Sequence, residues 1–229
     1  MTLKKIMREQ DTPVSESIPF CMLLAIVGGF LDAYTFVGRG GVFCNAQTGN
    51  IVLLGVYIST GRWQSALNRI PPIIAFIVGV FLAEAIKRNK SPIHCLDWKR
   101  IILILETIIL FIIGFIPSSA PDIIVTATVS LVASIQVSSF RKLVDSQFNT
   151  TMSTGNLRSA SQALYLAITR KDAAAAIRSI RYFIIILSFF SGALTGGIIT
   201  SLFGIRAIWS MIVLLIFAVV LMDIKEHEE

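Results

Sequence analysis

Six stretches of this chain, about 18–37, 71–88, 101–116, 123–140, 182–203 and 205–222, are apolar over nearly the length a helix needs to cross a bilayer. A hydrocarbon core of roughly 30 Å takes about 20 helical residues. A water-soluble fold cannot hide that many such stretches and still present a polar surface. Apolar-class residues make up 55% of the chain and charged residues 15%, where soluble domains carry about 25% charge. The mean hydropathy is +0.77. The chain therefore reads as an all-α, polytopic membrane helix bundle whose first partner is the lipid bilayer. Pro19, Pro71 and Pro121 stand at or near three of the starts, where a missing N–H costs least.

Two further segments are apolar but awkward. In 46–60 only nine mostly apolar residues follow Asn50, roughly half a membrane at about 1.5 Å per residue. Segment 153–169 carries Arg158, Ser159, Ser161 and Gln162, too polar to face lipid. Each is expected to be a short or re-entrant helix, which membrane depth tolerates only where protein or water surrounds it.

Charge placement chooses between six spans plus two short helices and eight full spans. With six spans and the N-terminus inside, Lys4, Lys5, Arg8, Lys87, Arg88, Lys90, Lys99, Arg100, Arg141, Lys142, Arg170, Lys171, Arg178, Arg181 and Lys225 fall on the cytoplasmic side. Arg39, Arg62, Arg69 and Arg206 remain outside, and Arg158 stays within the second short helix. Eight spans would turn the basic loop at 87–100 outward, against the positive-inside rule. The formal charge of +6 is thus a matter of topology, and no nucleic-acid partner is expected. Residues 1–17 hold no small-residue cleavage signal and read as a retained cytoplasmic tail, as do 223–229.

The tripeptide Thr48-Gly49-Asn50 recurs as Thr154-Gly155-Asn156. A span precedes each copy, a short apolar segment follows it, and then come a basic connector (SALNRI at 65–70, AAAIRSI at 174–180) and two more spans. The chain divides into a first repeat, 18–116, and a second, 117–222. Three spans per half is an odd number, so the copies enter the membrane from opposite sides. That is a two-fold inverted internal repeat, an arrangement of many secondary transporters, with sites near the midplane.

The runs GGFLDAYTFVGRGGVFCNAQTGNIVLLG at 28–55 and TTMSTGNLRSAS at 150–161 resemble the YoaK family of uncharacterised bacterial multipass membrane proteins. Asp32, Phe43, Thr48, Gly49, Asn50, Gln136, Thr154, Gly155 and Asn156 match its pattern. The resemblance implies a bacterial plasma-membrane protein of about six spans. It supplies no substrate.

Thr and Asn cap helix starts well and Gly admits close approach. Two helix starts meeting near the midplane would bring unpaired N–H groups and positive dipole ends together. The candidate site is Asn45, Gln47, Thr48, Gly49 and Asn50 from one half, with Gln136, Ser153, Thr154, Gly155 and Asn156 from the other. The competing reading makes these residues caps and interhelical glue. Asp32 follows the apolar run IPFCMLLAIVGGFL, and an intramembrane carboxylate marks a functional site by default. Arg158, the basic residue outside loops and tails, is its expected partner. Glu84 reads as a local ion pair with Lys87 and Arg88, and Glu106 could face a cavity. Trp63, Trp98 and Trp209 fit an interfacial belt; Gly192, Gly196 and Gly197 fit close helix packing.

No Ser-His-Asp or Cys-His set, phosphate loop or HExxH motif is present, so no enzyme is expected. Cys21, Cys44, Cys95, His94 and His227 have no metal-ligand spacing, so neither metal nor cofactor is expected. The function that follows is a small-solute or ion permease, in which Asp32 couples to protons or helps bind a cation and the helix starts hold polar or anionic groups. The alternative is a membrane scaffold or sensor whose polar centre is structural. Six spans make a thin bundle, compatible with a homodimer.

Overall fold

A computed structural model describes residues 13–88, 98–144, 146–147 and 153–226. Expectations for Lys4, Lys5, Arg8, Lys90, His94, Cys95 and His227 lie outside the described residues.

The described chain is all-α apart from one two-residue ladder. Its helices are α1 (Ile18–Gly38), α2 (Gln47–Ser59), α3 (Trp63–Leu67), α4 (Ile70–Arg88), α5 (Trp98–Ile113), α6 (Asp122–Ser139), α7 (Ser153–Arg170), α8 (Ala173–Phe203) and α9 (Trp209–Glu226). Strands β1 (Lys142–Leu143) and β2 (Ser146–Gln147) pair antiparallel. Four helical runs are long and apolar enough to cross a membrane: 18–38, 63–88, 122–139 and 173–223, the last containing α8 and most of α9. Large apolar side chains stand bare on the outer faces, Phe81 at 71%, Leu202 at 72% and Val213 at 69% exposure. In water such a surface would drive aggregation, and in lipid it is the ordinary solvent-facing side. This is an all-α helical membrane protein.

The short segments begin and end where expected. The third apolar stretch lies earlier, at 98–113. Beyond it Gly114 presses on the Trp209 indole, where an added Cβ would stand 1.9 Å from Nε1. The second basic connector, 174–180, is not a linker. It is the first two turns of α8, because Asp172 caps the helix by accepting from Ala174 N and Ala175 N at 2.8 and 3.1 Å and a run of alanines follows, the best helix formers. In the first half, Asn68 and Arg69 separate α3 from α4, whose first turn holds Pro71 and Pro72.

Polar contacts tie each end of the bundle. At the near end, marked by Ile18, Arg100 pairs with Asp223 at 2.9 Å, Lys99 Nζ donates to Ser15 Oγ at 2.9 Å and Lys87 Nζ donates to Ser138 O at 2.6 Å. At the far end, marked by Gly38, Tyr34 OH donates to Ile205 O at 3.1 Å. There Arg39, expected in an outer loop, is buried at 0% exposure. It donates to the carbonyls of Ile116 and Pro117 at 2.6 and 3.3 Å and lies 3.7 Å from Asp122. So α1, α5 and α8 run from near end to far, and α4, α6 and α9 run back.

The most extensive helix pairings are α1 on α8 and α4 on α6. Both depend on missing side chains. A Cβ on Gly29 would stand 2.0 Å from Phe189 O, one on Gly192 2.1 Å from Ile26 O, and one on Gly79 1.8 Å from Ser134 Oγ. Lipid offers no hydrophobic drive for helix pairing, so contact of this closeness supplies the attraction.

Candidate functional site

After α1 the chain reverses through Gly40 and Gly41, at φ +76° and +70°, a left-handed conformation that glycine adopts without strain. The loop then runs back down the side of α1. Asn45 Nδ2 donates to Gly28 O at 3.2 Å, which puts the loop's end halfway along α1. From that depth α2 starts, and it spans about 20 Å at 1.5 Å per residue. Arg69 donates to Gly41 O and its Nη2 to Tyr57 Oη at 3.4 Å, so the end of α2 and the start of α4 lie back at the far end.

Asp32 organises this loop. Its Oδ1 accepts from Asn45 N at 2.7 Å, Ala46 N at 3.4 Å and Cys44 Sγ at 3.3 Å. The carboxylate thus sits at the positive end of α2, which favours negative charge. The expected Asp32–Arg158 pair does not form. Asp32 is 4% exposed and held by loop donors, whereas Arg158 is exposed on the outer side of α7. Ala46, which has no side-chain cap, is the N-cap of α2. The first TGN signature therefore lies inside the opening turn and is not its cap.

Within the signature the three residues do different things. Thr48 lines the cavity described below. Gly49 leaves room for the Phe43 ring, which an added Cβ would meet at 2.9 Å. Asn50 is fully buried and closes the loop on itself. Its Oδ1 accepts from Phe43 N at 3.0 Å, and its Nδ2 donates to Phe43 O at 2.7 Å and Gln47 Oε1 at 2.9 Å. Gln47 Nε2 in turn donates to Cys44 O at 2.7 Å.

A cavity of about 670 Å³ lies where the starts of α2 and α7 come together. Asp32, Asn45, Gln47 and Thr48 line it from one half and Ser153, Thr154 and Gly155 from the other. Five candidate residues lie elsewhere. Gly49 and Asn50 build the loop, Asn156 is buried on α7, Arg158 faces outward, and Gln136 donates through Nε2 to Glu106 Oε2 at 2.8 Å inside the α5–α6 contact. Sequence reading missed most of the apolar wall: Phe36, Phe76, Phe189, Ala193 and Gly197 line the same space with Phe43. An aromatic residue in mid-helix carries no mark that separates cavity from core or lipid. Phe36 and Phe43 stack with centroids 4.7 Å apart.

Asp32 Oδ2 and Asn45 Oδ1 are buried side-chain oxygens without a hydrogen-bond partner. Turning the Asn45 amide over would set its oxygen against Gly28 O, so the Nδ2–Gly28 bond fixes its orientation. Among the described residues no Lys or Arg lines the cavity, and no three of His, Cys, Asp and Glu cluster to hold a metal.

Fold and site together define a helical membrane protein with a partly polar cavity where the two helices that carry the TGN signatures begin. The chain belongs to the family described as Protein of unknown function (DUF1275), whose model matches residues 20–221. It is similar to UPF0700 transmembrane protein YoaK of Bacillus subtilis (strain 168), 30% identical over 140 residues. That match covers 60% of this chain and 62% of the relative, less than two thirds of the relative's length. No solved structure matches.

Proposed function

We propose that the protein is a small-solute or ion permease of the bacterial plasma membrane, with both termini cytoplasmic. In this reading α1, α4, α5, α6, α8 and α9 cross the membrane. Helices α2 and α7 are re-entrant from opposite faces, and the halves form an inverted repeat. Helix pairing supports the repeat. The helix before each TGN signature packs on the long helix that follows the other signature, α1 on α8 and α6 on α4. Contacts at the two ends support the opposed entries. The loop into α2 leaves from the Gly38 end. The segment before α7 leaves from the Ile18 end, where Cys21 Sγ donates to Lys142 O at 3.8 Å and Val144 N to Glu16 O at 3.0 Å.

One observation carries the reading: both signature helices start at a single cavity that also holds Asp32. A midplane site between two halves that can rock against each other is what alternating access requires. A structural centre would be expected to close on itself, and a cavity of about 670 Å³ whose lining residues Asp32 and Asn45 each keep an oxygen without a partner does not.

The test is uptake of a panel of small solutes and ions into proteoliposomes. Flux that falls at least tenfold in Asp32→Asn and in Thr154→Val supports a permease. Folded protein without flux across the panel would turn the reading to the scaffold, with the polar centre serving the fold.

A further inference from the structure

We infer that the cavity between α2 and α7 takes a small organic cation, an ammonium group carried on an apolar or aromatic body. The inference rests on the permease reading and names its substrate class.

Three features select the charge. First, the positive end of α2 already faces an anion, because Asp32 Oδ1 accepts from Asn45 N, Ala46 N and Cys44 Sγ. That helix start therefore has little left to offer an anionic solute. Second, Asp32 and Asn45 both line the cavity, and the side-chain atom left without a partner on each is an acceptor, Asp32 Oδ2 and Asn45 Oδ1. A buried acceptor without a donor costs free energy, and a ligand that brings N–H groups removes that cost. Third, the described lining contains a carboxylate and no Lys or Arg, so no side-chain cation there competes with a cationic solute for Asp32.

The rest of the wall selects the body. Four rings, Phe36, Phe43, Phe76 and Phe189, line the space, and phenyl faces attract ammonium groups within about 6 Å. A bare metal ion asks for several converging oxygens, which this largely apolar lining does not supply. An organic amine can rest its body on the rings and point its charge at Asp32. Ser153 and Thr154 on the α7 side add hydroxyls that can accept further N–H bonds.

The test uses the full chain in lipid nanodiscs and three probes of one shape: benzylammonium, benzyl alcohol and benzoate. Calorimetric binding is expected for benzylammonium, at least tenfold tighter than for the other two. Asp32→Asn keeps an oxygen for the loop donors but presents an N–H in place of a free oxygen, and should weaken benzylammonium at least tenfold. Phe76→Leu keeps the apolar wall without the ring face and should weaken it about two- to fivefold, leaving benzyl alcohol unchanged. Retained thermal unfolding of each variant shows that it is folded.

Preference for benzoate, equal binding of all three probes, binding of none, or displacement of benzylammonium by millimolar sodium would overturn the inference. Uptake into proteoliposomes separates the two claims. Asp32-dependent binding without uptake keeps the cation class and removes the permease, whereas uptake of benzoate keeps the permease and removes the cation class.

Discussion

Asn50 satisfies both backbone groups of Phe43 through one side chain, so its part in the site is to shape the loop. Asn50→Ala leaves a partly buried N–H and C=O unpaired, about 1–3 kcal/mol of stability for each. Thermal unfolding in detergent should fall clearly for this variant. Thr48→Ala, at an exposed cavity-lining position, should stay within about 0.5 kcal/mol of the parent. Arg39 acts in the same structural way at the far end. Its guanidinium reaches two carbonyls of the α5–α6 connection at once. Arg39→Met should lose about 2–3 kcal/mol, and Arg39→Lys should not restore it, because an ammonium lacks the planar fork. Asp32 was legible as important from an apolar context alone. Its partners were not, since Cys44, Asn45 and Ala46 become neighbours only through the turn at Gly40 and Gly41.

At the scale of elements, α1 and α8 approach so closely that glycine is required at the contact. Gly192→Leu would drive a side chain into Ile26 O, 2.1 Å from an ideal Cβ, and should abolish folded yield on size-exclusion chromatography. Gly197, on the same helix, has open space beside it and lines the cavity. Gly197→Ala should fold with parental thermal stability while shrinking the space for a ligand. The GALTGG pattern read as a packing motif therefore splits, with Gly192 and Gly196 at the helix contact and Gly197 at the cavity. Periodicity cannot make that division, because it places residues on a face without saying what the face meets.

For the whole molecule, the proposed opposed entries of α2 and α7 carry a topological prediction. With the native cysteines replaced, Thr60→Cys at the end of α2 should react with an impermeant thiol reagent from outside intact cells. Lys171→Cys after α7 should react only once the membrane is opened. Labelling of both from one side would remove the inverted repeat.

Hydropathy is a sum over neighbours in the chain, so the sequence by itself determined the membrane class, the apolar helices and the bounds of both short segments. The repeated TGN was legible for the same reason, being a local pattern set in a repeated element order. Which residues meet at the cavity was decided by tertiary structure. The distance between Asp32 and Thr154, or between Gln136 and Glu106, depends on loop paths and helix crossings that no local sum contains. That is why Gln136, which matched the pattern as well as Asp32 did, lies against Glu106 in a helix contact and outside the cavity wall.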